Sequence, residues 1–334
     1  MLSETEVQVN AHHVTLIKER DPKKIDWRGL GCEYLIDCTG AFLTMEKCRD
    51  HNAPFTIISS PAKDAMPTYI YSVNHEKYHG ENIVSGSSCT TNCLSPVLRI
   101  LNDAYKVKDV VFTTIHAATA SQYVEDSLQK GARTDRSVFN NIIPHTTAAS
   151  SSVTAVLPEL KGKVNGTSVR VPVANCSLVD VNVELEDHSV KLADIQSLLE
   201  SSPYFGVVYN VTAKKLVSGD FATTTTPSIL DLGGCIDMGN GKFKLFIWYD
   251  NEWSYSAQLI RVVESMFEHN NSIKEKYFLE NLNLEGQGVV CRFDFNVPRN
   301  KKNEVTDDFR LSSAIPTIEA VLSRNPKYVV LTSH

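Results

Sequence analysis

A cysteine at a strand-to-helix junction, with a histidine closing the next strand, constrains this chain more than any other feature. The stretch Ser88-Cys89-Thr90-Thr91-Asn92-Cys93 follows a strand ending near Val84 and precedes a helix expected from about Asn92 to Ala104. His116 stands 27 residues after Cys89, just past the strand Val110 to Ile115. Two adjacent strand ends bring such a pair within hydrogen-bond reach. A cysteine is a nucleophile only as the thiolate, which a helix N-terminus and a neighbouring imidazole favour. Ser88, Thr90 and Thr91 suit the first turn of a helix. A lone cysteine is more often a small buried hydrophobe. Cys93, one helical turn on, is expected in the core.

The rest of the chain supplies a frame for that pair. At 334 residues it is long enough for two or more domains. Val14 to Ile17, Tyr34 to Asp37 and Phe55 to Ile58 read as strands, with a capped turn at Asp21-Pro22 and a helix from about Thr44 to Asp50. That alternation implies a parallel α/β sheet. Val107 to Ile115, Ser168 to Val173, Ser177 to Glu186 and Phe243 to Tyr249 are long β-branched or aromatic runs, with few helices between. They imply a mostly antiparallel sheet with helices packed on it, Lys191 to Glu200 among them. Tyr255 to Glu268 reads as an amphipathic helix, and His269-Asn270-Asn271-Ser272 as a polar break. A strand-helix-strand unit follows, with Val289 to Phe295, Arg310 to Ser323 and Tyr328 to Leu331. The expected domains are 1–89, 90–268 and 279–334, with a linker over 269–278.

Bulk chemistry narrows the function. A net charge of -6 disfavours nucleic acid as a primary partner. The eight cysteines show no C-x-x-C spacing, so no metal site is expected. No apolar run approaches membrane-span length, and Met1 to Asn10 lacks the apolar core of a signal peptide. Reduced thiols in the cytoplasm fit this composition best.

The motifs themselves then identify a family. Ser88-Cys89-Thr90-Thr91-Asn92-Cys93 followed by Thr113-Thr114-Ile115-His116-Ala117 resembles the active site of phosphorylating glyceraldehyde-3-phosphate dehydrogenases. Cys38-Thr39-Gly40, Val73-Asn74-His75-Glu76-Lys77-Tyr78, Asn141-Ile142-Ile143-Pro144, Val169-Arg170-Val171-Pro172 and Trp248-Tyr249-Asp250-Asn251-Glu252 carry the likeness from about His13 to Met266. The resemblance implies a Rossmann-type NAD-binding domain, a catalytic domain and a homotetramer. It makes Cys89 the nucleophile and His116 its base. It assigns Thr119 and Arg170 to the substrate phosphate. Ser88, Thr147 and an arginine of the loop Arg133-Thr134-Asp135-Arg136, Arg136 by preference, go to inorganic phosphate, and Thr90 joins the phosphate-binding set. Thr39, Gly40, Ser59, Asn251 and Tyr255 fall to NAD.

The sequence departs from that pattern at several points. No Gly-x-Gly-x-x-Gly turn follows a first strand, so the dinucleotide fold is expected to be incomplete, with an exposed apolar sheet edge. Ala148 stands where the family has a glycine, and its methyl is expected to crowd phosphate. Ser254 likewise replaces a glycine, Val173 a threonine, and the loop from His116 to Arg136 is shortened. From about Leu279 the likeness switches to phosphoglycerate kinases. It rests on Val290-Cys291-Arg292-Phe293-Asp294-Phe295-Asn296-Val297-Pro298, Arg310 and Val329-Val330-Leu331-Thr332-Ser333-His334. Here the resemblance assigns Asp294, Asn296, Arg310 and His334 to 3-phosphoglycerate. A fusion of this kind is expected to raise the local concentration of the shared acyl phosphate. Both ends of the chain are expected to be incomplete. The competing reading is a decayed or non-enzymatic product that acts as a binding or scaffold module.

Overall fold

The computed structural model describes residues 5–129, 131–277, 279, 282–293, 295, 297–300, 302 and 304–333. The chain divides into two compact units, Met1–Met266 and Phe267–His334.

The first unit opens with an antiparallel hairpin, β1 (Glu6–Val9) and β2 (His12–Thr15), with Asn10 left-handed at its turn (φ 53°). The strand expected at Val14 to Ile17 therefore shifts two residues back and pairs locally instead of joining the parallel sheet. That sheet holds β3 (Tyr34–Asp37), β4 (Phe55–Ile58) and β5 (Ile83–Ser85). The short helix α1 (Met45–Cys48) connects β3 to β4, capped by the Thr44 hydroxyl, which accepts from Lys47 N. All three strands run parallel, with Asp37 beside Ile58 and Ile58 beside Ser85. Their carboxyl ends thus lie on one edge, where open α/β sheets bind ligands.

Helix α2 (Cys89–Tyr105) leaves that edge. It begins three residues before the expected Asn92, because the Ser88 hydroxyl accepts from Thr91 N and caps it one position before the cysteine. An eight-stranded mixed sheet follows. It comprises β6 (Val107–His116), β7 (Ile143–His145), β8 (Val164–Arg170), β9 (Ser177–Leu185), β10 (Tyr209–Thr212), β11 (Ser228–Asp231), β12 (Ile236–Gly239) and β13 (Lys242–Tyr249). Only the pairs β6–β8 and β10–β11 are parallel. Helices α3 (Ala149–Val156) and α4 (Leu192–Glu200) lie between strands in sequence. The buried faces of α2, β6, β9 and β13 merge into one core around Leu94, Leu98, Phe112, Val181 and Leu245.

Helix α5 runs from Trp253 to Tyr277. Its Leu259, Val262 and Met266 close the parallel sheet against Ile57 and Val84 in a second core. Gly86 permits that approach, since a Cβ there would collide with the Leu259 side chain. The helix passes through His269–Ser272, so the expected polar break is helical; Ser272 Oγ donates to His269 O within it.

The second unit contains β14 (Gly288–Arg292) and β15 (Tyr328–Thr332), which are parallel and linked through α6 (Phe309–Ser312) and α7 (Ile315–Leu322). One expected helix is two here. Pro316 at the start of α7 cannot donate a backbone hydrogen bond, and the chain restarts its helical bonding there. Arg324 ties the unit together through its Nη1 donation to Leu279 O and Leu282 O.

Candidate active site

Four element ends converge on Cys89. The cysteine is the first residue of α2, and its Sγ lies 3.4 Å from His116 Nε2. His116 closes β6 and is the register partner of Arg170, which closes the parallel neighbour β8. Arg170 Nη1 lies 2.6 Å from His116 Nδ1 and donates to Ala117 O at 3.1 Å. Ser177 and Tyr249 are likewise register partners, at the start of β9 and the end of β13. The Tyr249 hydroxyl bridges Thr90 Oγ1 (3.0 Å) and Thr114 Oγ1 (2.9 Å), joining α2 to β6 directly beneath the thiol.

A cavity of about 190 Å³ opens over the pair. Ser88, Cys89, Thr90, His116, Thr147, Ala148, Ser168 and Arg170 line it. The sequence-predicted residues Ser88, Thr90, Thr147 and Arg170 therefore meet at the thiol. Thr119 does not border this cavity. Its hydroxyl bonds Ser121 Oγ and Gln122 Oε1 within its own loop. Arg136 lies away as well, on the surface, with Nε donating to Asp126 Oδ2 at 3.0 Å. Arg133 instead lines a neighbouring cavity of about 460 Å³ with Thr134, His145 and Thr167; Thr146 and Ser168 are common to both cavities.

Burial sets the charge state of the pair. Loss of water pushes the Cys89 thiol up, against the pull of Thr90 and the Arg170 guanidinium. Burial first and Arg170 second push His116 down to about 4. Burial therefore works against the charged form of both groups. Arg170 Nε is buried with no hydrogen-bond partner, so an anion entering the cavity would find an unspent donor.

The approach to the thiol is strained. Ser87 is left-handed (φ 59°), fully buried, and its hydroxyl has no partner. Ser85 Oγ accepts from its N–H at 3.0 Å, and the Tyr255 hydroxyl donates to its carbonyl at 2.5 Å. Asn92 adds a side-chain clamp, with Nδ2 donating to Gly86 O and Ser88 O. Backbone strain held in place by surrounding bonds is common where a reactive side chain must be aimed.

The residues assigned to NAD stand on the aligned strand ends and beside them. Asp37 Oδ1 accepts from Thr39 N and Thr39 Oγ1, while Oδ2 meets the buried His51 Nε2 at 3.1 Å. Burial raises the Asp37 carboxyl, but the bonds from His51 and Thr39 outweigh it and hold the group below the usual carboxylate range. Gly40 follows in a left-handed turn (φ 68°), and Ser59 N donates to Asp37 O. Asn251 Oδ1 accepts from Ser177 Oγ at 2.7 Å, and its Nδ2 donates to none of the described residues. These groups fit the nicotinamide end of a dinucleotide. The described residues include no glycine-rich strand-turn-helix for its pyrophosphate.

Tyr249, Ser177, Ser87, Asp250 and His51 escape sequence reasoning as parts of this site. Their partners lie far along the chain; Ser177, Ser87 and His51 carry no local pattern, and Tyr249 and Asp250 stand inside the motif Trp248-Tyr249-Asp250-Asn251-Glu252 without a role assigned to either. Asp250 has a further signal, standing two residues before Glu252 where an N-cap would be sought.

Residues 88–251 match the family description "Glyceraldehyde 3-phosphate dehydrogenase, C-terminal domain", and residues 1–45 match "Glyceraldehyde 3-phosphate dehydrogenase, NAD binding domain". The glyceraldehyde-3-phosphate dehydrogenase of Bacteroides fragilis is 38% identical over 264 residues, covering 76% of this chain and 79% of its own. The muscle enzyme of Jaculus orientalis is 40% identical, over 77% of this chain and 72% of its own. The chain belongs to the glyceraldehyde-3-phosphate dehydrogenase family. It is therefore an NAD-dependent dehydrogenase by family, with a Rossmann-type start and a mixed-sheet catalytic domain. Residues 279–334 match "Phosphoglycerate kinase", so the chain joins the two families. In that segment Arg310 lines a cavity of about 390 Å³ with Phe293, Ser313 and Thr317. Asp294, Asn296 and His334 lie outside the described residues.

Proposed function

We propose that this chain oxidises D-glyceraldehyde 3-phosphate to 1,3-bisphosphoglycerate through a thioester on Cys89. The observation that carries the reading is the Cys89–His116 pair at 3.4 Å beside the half-buried Arg170 guanidinium, in a cavity sized for a small phosphorylated substrate. Arg170 takes the substrate phosphate, for which its planar fork and unpartnered Nε are suited. His116 Nε2 accepts the Cys89 proton as sulfur bonds the aldehyde carbon, and the carbonyl electron pair moves to oxygen. The backbone N–H groups at the N-terminus of α2, where Cys89 sits, would stabilise the charge gathering on that oxygen. Asn251 and Tyr255 would hold NAD, which would supply the hydride acceptor. His116 Nε2 returns that proton to the oxygen, giving the hemithioacetal hydroxyl, and takes it back as hydride leaves the carbon and the carbonyl re-forms, leaving the thioester. Inorganic phosphate then attacks the acyl carbon, the C–S bond breaks, and the sulfur recovers its proton from His116. Ser88 and Thr147, which line the same cavity, are the residues we assign to that phosphate.

Purified full-length chain, given glyceraldehyde 3-phosphate, NAD and phosphate, should form NADH. Cys89→Ser should abolish this, and His116→Asn should slow it by roughly 10²–10⁴-fold. NADH formation that is unchanged in Cys89→Ser, or indifferent to phosphate, would refute the reading.

We also propose that the chain works as a homo-oligomer in the cytoplasm. The loop after His116 exposes Val124, Leu128, Phe139 and Ile142 within one short stretch, and such clustering calls for a covering partner. Light scattering that finds only monomers at micromolar concentration would remove the oligomer.

A further inference from the structure

One hydroxyl ties three strand ends together beside the residues assigned to NAD. Ser177 opens β9 and is the register partner of Tyr249, which closes β13. Asn251 stands two residues past that strand, and Ala117 one residue past the end of β6. Ala117 N donates to Ser177 Oγ at 3.0 Å, and Ser177 Oγ donates to Asn251 Oδ1 at 2.7 Å. Ser177 is 1% exposed and Asn251 7%, so water does little for either.

The order of donors leaves the Asn251 carboxamide one orientation. A backbone N–H can only donate, so the Ser177 hydroxyl accepts from Ala117 and has a single proton to place. Asn251 must meet that proton with its oxygen. The flipped carboxamide would bring a second donor to Oγ and strand the hydroxyl proton, which has no other acceptor among the described residues. Oδ1 is thus committed to Ser177. Both Nδ2 protons, which bond none of the described residues, remain for a ligand.

We propose that Ser177 is a positioning residue that fixes the orientation of the Asn251 carboxamide, so that the nicotinamide end of the cofactor site presents a donor and selects a ring substituent with a carbonyl acceptor. This rests on the reading of Asn251 as a residue that holds NAD. A free carboxamide is nearly symmetric in shape and turns either end to a ligand. Ser177 removes that choice before the ligand arrives, which lowers the ordering cost of binding.

The test compares NAD with 3-acetylpyridine adenine dinucleotide, which keeps the ring carbonyl and replaces the amide NH2 by a methyl group. Calorimetric titration of the full-length chain with each gives a ratio of affinities. In Ser177→Ala the carboxamide is free to turn Oδ1 to the ligand, and only NAD has an N–H to meet it. The preference for NAD over the acetyl analogue should therefore rise roughly three- to tenfold, the worth of one hydrogen bond. Ser177→Thr, which keeps the hydroxyl, should hold the wild-type ratio. A merely structural role would weaken both dinucleotides equally and leave the ratio unmoved. Ser177→Cys, close in size but a weak donor, stands in should the alanine variant fail to fold, and should move the ratio the same way. A second readout needs no cofactor. The side-chain NH2 signals of Asn251 in ¹⁵N NMR, assigned by Asn251→Asp, should be one sharp pair in wild type and Ser177→Thr, and should shift or broaden in Ser177→Ala. An unchanged ratio or unchanged signals in Ser177→Ala would overturn the proposal. A chain that binds neither dinucleotide yet shows the change in the NH2 signals would sink the NAD reading alone. A chain that binds NAD with ratio and signals unmoved would sink the role of Ser177 alone.

Discussion

Cys89 is aimed by a residue that pays for it. Ser87 holds a left-handed backbone and a buried hydroxyl without a partner, each costing on the order of 1 kcal/mol. Glycine takes that backbone freely and carries no hydroxyl. Ser87→Gly should therefore stabilise the fold by about 1 kcal/mol in urea denaturation; a loss of stability would show that the serine side chain has a partner role. The thiol itself is predicted to be quiet at rest. Because burial raises it, the rate of Cys89 alkylation in ligand-free protein should still be climbing at pH 9. Peptide mass spectrometry across the pH range checks this, and a plateau near neutrality would contradict it. Of this neighbourhood, Cys89 and His116 are suggested by their strand-end spacing and fixed by the family resemblance, and Arg170 is legible only through that resemblance, in Val169-Arg170-Val171-Pro172. Ser177 is not legible. Its hydroxyl joins Ala117 N to Asn251 Oδ1, positions 60 and 74 residues away, and nothing local distinguishes it from any strand serine.

At the scale of elements, strand existence is readable and element ends are less so. The long β-branched runs became β6, β9 and β13 nearly as expected, since period-two burial is written into them. The start of α2 was misplaced by three residues because Ser88 outcompetes Asn92 as its cap, while Asn92 turns its side chain back to Gly86 and Ser88. The start of α5 has a stronger device. Asp250 Oδ1 accepts from Glu252 N and Trp253 N, and Oδ2 accepts from Thr223 N and Asn175 Nδ2, all with the residue fully buried. Replacing it by alanine removes a cap and leaves buried donors unsatisfied, so Asp250→Ala should cost about 3 kcal/mol. Asn251 follows directly on this turn, so the same variant should weaken NAD binding more than phosphate-monoester binding. Calorimetric titration with both ligands separates the two effects, and equal weakening would point to general loosening.

Across the whole molecule, the neutral burial of His116 makes stability depend on pH in a defined window. Its ordinary value of 6.5 applies to the unfolded chain, and the folded value is about 4. Between those limits the unfolded state binds a proton that the folded state refuses, so stability rises with pH and falls as pH drops through 6.5 toward 4. At 1.36 kcal/mol per pKa unit the full effect is on the order of 3 kcal/mol, and about 2 kcal/mol of it should be lost between pH 7 and pH 5. The lowered carboxyls of Asp37 and Glu81 act in the same direction but around and below their ordinary values of 3.8 and 4.5, under the interval from pH 7 to pH 5. The two halves of the chain need not unfold together, so the transition to follow is that of the unit Met1–Met266, reported by burial of its own Trp248. Its urea midpoint should fall from pH 7 to pH 5 in the wild type. His116→Asn, which keeps a polar side chain without a titrating ring, should flatten that slope while costing some stability at pH 7. A slope that survives the substitution would mean that another buried group carries the acid sensitivity, and that His116 is not held neutral by its surroundings.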